Sequence, residues 1–166
     1  MRAGPHDLVL SSGPRAAADM STRATRRLLL AAAALAVVGA SIASYLTVVH
    51  YAHQPIACSS IGDCELVNSS KYADLAGVPV AVLGALSYLS MLVMVIVAGM
   101  RRSSGFILAA WAIAFASFGF SVYLTYIELR VLDAICVYCV ASASVITALF
   151  ATLSAVLWLV QDELFG

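Results

Sequence analysis

Four long apolar runs dominate the pattern of hydrophobic and polar positions along the chain. They extend from Leu28 to about Val49, from Val80 to about Met100, from Phe106 to about Ile127 and from about Ile135 to Val160. Each run is close to, or longer than, the roughly 20 residues that an α-helix needs to cross the hydrocarbon core of a bilayer. The pattern therefore predicts an all-α membrane protein, built as a bundle of four transmembrane helices.

The polar segments between these runs divide the rest of the chain. Residues 1–22 contain two Gly/Pro turns and no apolar period, which predicts a disordered tail. Residues 50–78 form a mixed loop, and its stretch 69–76 could make a short helix along the membrane surface. Residues 128–134 predict a short polar turn. With no other segment long enough for a water-soluble domain, we expect residues 23–166 to form a single four-helix transmembrane domain.

The composition supports a membrane location and excludes one class of partner. The chain is 63% hydrophobic, 11% charged and has a mean hydropathy of +0.98, whereas soluble domains carry about 25% charged residues. The first apolar run, of about 22 residues, is longer than the roughly 7–15 residues of a signal-peptide core. The formal net charge is zero, so we expect a lipid bilayer and no nucleic acid as partner.

The basic residues predict how the bundle is oriented. Lys and Arg accumulate in cytoplasmic segments of membrane proteins. One side of the predicted topology carries only Lys71 and Arg130, and the other carries seven arginines, namely Arg2, Arg15, Arg23, Arg26, Arg27, Arg101 and Arg102. We therefore expect both termini and the 101–105 loop in the cytoplasm. The 50–78 loop and the 128–134 turn, and with them every cysteine, then lie on the extracytoplasmic side.

The four cysteines form two close pairs with different surroundings. Cys136 and Cys139 open the last helix, where the positive helix end favours a thiolate. Cys58 and Cys64 lie on a loop segment that contains serines and a glycine. Because thiol–disulfide exchange passes through mixed disulfides, a loop pair can collect electrons from a partner and hand them to a fixed pair. The pattern favours a redox relay whose electron sink is a lipid-soluble acceptor.

Two other interpretations of the cysteines stay open at this stage. The bonds could be static, either as two bridges or as one long bridge that clamps the loop to the fourth helix, in a scaffold without catalytic activity. Alternatively, four thiolates could bind zinc, although zinc sites generally use a tighter first pair than Cys-x5-Cys and a soluble knuckle. An oxidising compartment also works against four reduced thiols, so we predict no metal site.

The order and spacing of these residues resemble those of the vitamin K epoxide reductase family, most closely its bacterial branch. The resemblance covers about residues 28–160. The residues that carry it are the string Cys58-Ser59-Ser60-Ile61-Gly62-Asp63-Cys64, then Ser70, Tyr72-Ala73, Gly77, Pro79, Gly84 and Tyr88, and finally Cys136-x-x-Cys139 at the start of the last helix.

The resemblance implies a four-helix bundle around a quinone pocket. Cys136 and Cys139 would be the active-site pair, with Cys139 nearest the quinone, and Cys58 and Cys64 would be the shuttle pair. From its position at the helix end we expect Cys139, once released, to stay charged as a thiolate. Ser70 would lie on the surface helix that caps the pocket, and Tyr72 would help to line it. The electron acceptor would be menaquinone or ubiquinone in the bacterial inner membrane. The electron donor would be a thioredoxin-like partner of the DsbA type, and the pathway would support disulfide formation.

The chain also departs from the family pattern. Vertebrate members carry a tyrosine four residues after the second active-site cysteine, where this chain has Ala143. They also carry an asparagine in the segment entering the second helix, where this chain reads Val78-Pro79-Val80-Ala81. We therefore do not expect reduction of vitamin K epoxide. The chain carries no fused thioredoxin-like domain, so we expect its partner to be a separate protein.

Overall fold

The computed structural model describes residues 14–52, 56, 58, 63–101 and 103–165, with side chains described between Arg23 and Val160 in these ranges. Its elements, in chain order, are α1 (Pro14–Ala52), α2 (Cys64–Asn68), β1 (Asp74–Leu75), β2 (Val78–Pro79), α3 (Val80–Arg101), α4 (Ser104–Ile127), a π-helical turn (Glu128–Leu132) and α5 (Val137–Phe165). The architecture is all-α, as the apolar runs predict.

Within the described residues, four helices are long and apolar enough to cross a membrane. Their spans are Arg23–Ala52, Val80–Arg101, Ser104–Leu132 and Val137–Val160. They pack in a ring in the order α1, α3, α4, α5, and α5 closes the ring against α1. The chain is therefore a multi-pass membrane protein, and all four cysteines lie at one end of the bundle, which we call the cysteine end.

Helix α1 begins earlier than the sequence pattern predicts. It starts at Pro14, so residues 14–22 are helical, although they belong to the segment expected to be a disordered tail. Proline fits the first turn of a helix because its missing N–H has no partner there, and the following run of alanines favours helix. The remainder of that predicted tail, residues 1–13, lies outside the described residues.

Small residues on one face of α1 allow the helices to approach closely. Their buried positions recur at helical spacing and include Ala32, Ala36, Ala40 and Ala43. Helix packing in lipid depends on such small residues because there is no hydrophobic force between helices in a bilayer. The opposite half of the core consists of large side chains that leave almost no exposed area, namely Met91 on α3 and Leu149, Leu153 and Val156 on α5.

The loop between α1 and α3 contains a short helix, but not at the predicted position. The helix is α2, at Cys64–Asn68, whereas residues 69–76 form a turn and then β1. Strand β1 pairs antiparallel with β2 through Asp74↔Pro79 and Leu75↔Val78. The connecting residues Ala76 and Gly77 have φ of 53° and 83°, as a tight hairpin turn requires. The hairpin ends the helical pattern that the sequence suggested for 69–76.

The connection between α4 and α5 is a continuation of the helix and not the polar turn predicted for residues 128–134. The last turn of α4 widens into the π-helical turn Glu128–Leu132, and Asp133, in the left-handed conformation with φ of 48°, then ends it. A π-turn inserts one extra residue per turn and so changes which side chains face inward. Here it leaves Ile127 and Glu128 buried, while Arg130 is exposed.

Candidate active site

Cys136 and Cys139 form a compact dithiol at the start of α5. Cys136 immediately precedes the helix and is 1% exposed, whereas Cys139, in the first turn, is half-buried. The backbone N–H of Cys139 donates a hydrogen bond to Cys136 Sγ over 3.3 Å. Cys136 therefore occupies the N-cap position, where a side-chain acceptor satisfies an otherwise unpaired N–H of the first turn.

This geometry favours the thiolate on Cys136. A hydrogen bond from the Cys139 side chain lowers the pKa of the Cys136 thiol. The backbone amides of Cys139 and Tyr138 add to this effect, and burial and the charge of Glu128 oppose it. From the sequence we expected the helix end to hold Cys139 as the thiolate. The structure corrects that expectation, because the donors of the first turn converge on the sulfur one turn earlier.

Cys58 and Cys64 are joined by a disulfide within the loop, with their Cα atoms 6.2 Å apart, a separation typical of disulfides. Cys64 is the first residue of α2 and is 1% exposed, whereas Cys58 is half-buried. The pairing contradicts the interpretation in which one long bridge clamps the loop to the last helix.

A backbone hydrogen bond holds the loop pair against the helix pair. The N–H of Asp63 donates to the carbonyl of Ile135 over 3.1 Å. Because these residues directly precede Cys64 and Cys136 in the chain, the two buried cysteines occupy adjoining positions. The cysteine end therefore brings together the two pairs that are 72 residues apart in the sequence, as a relay requires.

A cavity of about 370 Å³ opens into the bundle beside the dithiol. Cys136, Cys139 and Glu128 line it, Ser70 and Tyr72 from the loop line it as well, and apolar side chains of all four transmembrane helices complete its wall. Its volume lies in the range of small-molecule sites, and so does its mostly apolar lining. A flat quinone headgroup fits a space of this size and chemistry. What Ser70 and Tyr72 contribute toward such a ligand stays a prediction.

Tyr88 crosses the bundle interior from α3 to α5 and forms part of the wall of this cavity. Its side chain is 3% exposed. Its hydroxyl donates a hydrogen bond to the Ser142 carbonyl over 3.0 Å and lies 3.1 Å from Ser142 Oγ. The ring packs directly on the backbone of α1 at Gly39, where any Cβ would overlap it. Tyr88 thus fixes the spacing of three helices around the cavity.

Glu128 is a residue of the site that sequence reasoning placed in the outer turn. The structure buries it to 6% exposure at the end of α4. The N–H of Cys136 donates to its Oε2 over 3.4 Å, and its carboxylate also interacts with the Cys139 side chain. One signal could have indicated it. An acid that directly ends an apolar run, eight residues before a Cys-x-x-Cys pair, lies at membrane depth, where ionisable groups are costly unless they have partners.

A known protein family matches most of the chain. The model of the vitamin K epoxide reductase family matches residues 30–154. The chain belongs to the vitamin K epoxide reductase family. Proteins of the family are membrane oxidoreductases that couple thiol–disulfide chemistry to quinones and act with thioredoxin-like partners. The match includes the four cysteines and all or most of each transmembrane span, so family membership and the geometry of the cysteine end agree.

Proposed function

We propose that this family member reoxidises a separate thioredoxin-like protein and passes two electrons through its cysteine pairs to a membrane quinone, thereby supporting disulfide formation. One observation carries the proposal. The backbone hydrogen bond from Asp63 to Ile135 sets the loop disulfide against a dithiol that lines an apolar cavity. The proposal includes a bacterial inner membrane, with both termini in the cytoplasm and the cysteine end outside, because seven of nine basic residues belong to the opposite side.

The difference in exposure between Cys58 and Cys64 suggests the order of transfer. A thiolate of the reduced partner attacks the more accessible Cys58 and releases Cys64. The second thiol of the partner then attacks the mixed disulfide, which leaves the partner oxidised and the loop pair reduced. Cys64, which adjoins Cys136, next attacks Cys136 in the oxidised helix pair and releases Cys139. Attack of Cys58 on Cys64 restores the loop disulfide and leaves the helix pair reduced.

The helix pair completes the cycle at the cavity. A quinone bound there accepts two electrons and two protons and leaves as the quinol. Cys136 and Cys139 supply the electrons as their disulfide re-forms. The N-cap geometry holds Cys136 as a thiolate, one of the two sulfurs that each give up one electron as the disulfide re-forms.

The function can be tested with purified protein in detergent or lipid nanodiscs. Reduced partner protein or dithiothreitol is supplied with a panel of menaquinone, ubiquinone and vitamin K epoxide analogues, and quinol formation is followed by absorbance. We expect quinone reduction with both donors and no reduction of the epoxide. Cys139→Ser should stop turnover while the protein still inserts and folds, whereas the control Ser144→Ala, on an exposed face of α5, should leave turnover unchanged. Normal turnover in Cys139→Ser would contradict the scheme.

The loop pair has its own test. Replacing Cys58 or Cys64 by Ser should block oxidation of the protein partner and spare reduction by dithiothreitol. In addition, Cys58→Ser combined with Cys139→Ser should accumulate a Cys64–Cys136 disulfide, detectable by mass spectrometry of peptides. Cys64→Ser combined with Cys139→Ser should accumulate much less of its Cys58–Cys136 counterpart. If partner oxidation survives the loss of a loop cysteine, the disulfide only braces the loop and the protein has no relay.

A further inference from the structure

Glu128 is a buried carboxylate that touches both cysteines of the helix pair. It accepts from the N–H of Cys136 over 3.4 Å, and its carboxylate also interacts with the Cys139 side chain, which lines the same cavity. Its own carbonyl accepts from the N–H of Ala134 over 3.1 Å, so the turn that carries it folds back onto the start of α5. Burying an acid costs free energy unless it is well paired, and a neutral side chain could have ended α4 at no such cost.

The two sulfurs differ in how they can lose a proton. The first-turn amides stabilise a thiolate on Cys136. Cys139 has no comparable amide donor among the hydrogen bonds of the described residues, and its thiol lies against Cys136 and Glu128. Because a thiolate is needed before a sulfur can give up electrons, Cys139 needs a base within contact distance. Glu128 is the acceptor that the structure provides.

We propose that Glu128 is a catalytic base that takes the proton from the Cys139 thiol and delivers it to the acceptor in the cavity. The proposal rests on the function proposed above and assigns a further residue to it.

Protons and electrons balance when Glu128 has this role. Cys136 begins as a thiolate, its proton already released to water, and Cys139 begins as a thiol. Glu128 removes the Cys139 proton, the Cys136–Cys139 bond forms, and two electrons leave for the quinone in the cavity. The protonated Glu128 gives its proton to one oxygen of the acceptor, and water at the cysteine end supplies the second. Glu128 returns to the carboxylate, ready for the next reduction of the disulfide.

The other ionisable groups around this turn are accounted for by position. Two further titratable side chains, Tyr72 and Tyr88, line the cavity with Glu128 and the cysteines. Two more belong to the same stretch of chain or follow it, Arg130 and Asp133, and both are exposed. Tyr138, between the two cysteines, packs against Tyr45 with the ring centroids 5.1 Å apart. The nearby Asp63 is exposed as well. Asp133→Asn is therefore a matched control, because it removes an acid near the same turn at a position where asparagine tolerates positive φ.

The first test measures the sulfur without quinone or partner. In full-length Cys136→Ser protein, the rate of Cys139 alkylation by iodoacetamide is followed by mass spectrometry as a function of pH. A base at Glu128 predicts that Glu128→Gln slows alkylation at neutral pH by about tenfold or more and makes the rate proportional to hydroxide. Asp133→Asn should match the parent protein. A carboxylate that only repels the thiolate predicts the opposite sign, so an unchanged or faster rate in Glu128→Gln overturns the proposal.

The second test uses the full reaction and separates binding from chemistry. In protein with all four cysteines, Glu128→Gln should lower kcat for quinone reduction with dithiothreitol by about 10²-fold with KM for quinone unchanged. A raised KM with unchanged kcat overturns the proposal. The glutamine carbonyl can still accept from the Cys136 N–H. If the amide nevertheless lowers the yield of folded protein, Glu128→Asp, which draws the carboxylate back by one methylene, replaces it with the same criteria.

The two tests also separate the failure of this inference from the failure of the proposed function. Absence of quinone reduction in the unmodified protein would overturn the proposed acceptor. The alkylation test of Glu128 would still apply, because it uses no quinone. Alkylation that does not depend on Glu128, in a protein that reduces quinone, would overturn only the role of Glu128.

Discussion

The contact between Gly39 and Tyr88 gives the sharpest prediction about the stability of the bundle. A Cβ at position 39 would overlap the Tyr88 ring, so Gly39→Ala forces either the ring or α1 to move. Overpacking of a filled core costs about 1–3 kcal/mol. Displacing the ring also breaks the hydrogen bond of the Tyr88 hydroxyl to Ser142, at about 0.5–1.5 kcal/mol. Together the free energy of unfolding should fall by about 1.5–4.5 kcal/mol.

Two other glycines serve as matched controls for this substitution. A Cβ at Gly84 would meet the Cβ of Ala43 at an ordinary 3.7 Å, and a Cβ at Gly119 would meet nothing within 4 Å. Alanine is also the better helix former by about 1 kcal/mol in water. Gly119→Ala should therefore be neutral or slightly stabilising, and Gly84→Ala should change little.

The measurement is reversible unfolding in mixed micelles, followed by circular dichroism or tryptophan fluorescence. In parallel, quinone reduction should fall in Gly39→Ala, because the displaced ring must move into the cavity that Tyr88 lines. Tyr88→Leu should restore part of the stability in the Gly39→Ala background, as a coupling energy between contacting residues. If Gly39→Ala is as stable as Gly119→Ala, the close approach of α1 to Tyr88 is wrong.

Three further predictions concern single contacts. Cys139→Ala removes the side-chain donor that lowers the pKa of Cys136. That pKa should therefore rise, and alkylation of Cys136 at a pH below the ordinary thiol pKa should slow. Cys139→Ser keeps a donor and should retain the faster rate. Trp111→Phe loses the 2.9 Å hydrogen bond to Ser154 and should cost about 0.6 kcal/mol in unfolding experiments. Asp74→Asn removes a partly exposed 3.7 Å contact with His50 and should cost under about 1 kcal/mol, because exposed ion pairs contribute little.

The transmembrane helices and the clustering of the cysteines follow from sequence because both depend on one-dimensional patterns. Apolar runs of sufficient length fix the four spans, and the number of spans fixes which loops share an end. The bundle of four helices with a short helix in the first loop is confirmed. The position of that short helix is not, because the choice between helix and hairpin at residues 69–76 depends on the turn conformations of Ala76 and Gly77.

The inward rotation of Glu128 could not be predicted in the same way. Its burial follows from a π-helical turn, which the hydrophobic periodicity of the sequence does not predict. It also follows from Asp133, whose left-handed conformation redirects the chain toward α5. The assignment of the thiolate also needed the structure. Sequence spacing places both Cys136 and Cys139 near a helix end, and only the positions of the amide donors separate the N-cap residue from the one in the first turn.

The depth of the cavity has a consequence for bioenergetics. Its floor, at Met91 and Ile146, is followed toward the other end by the fully enclosed side chains of Leu149, Leu153 and Val156. Under the proposed function, protons and electrons therefore enter and leave through one face of the membrane. Turnover should then be electrically silent, generating no transmembrane voltage and proceeding at the same speed in energised and de-energised vesicles.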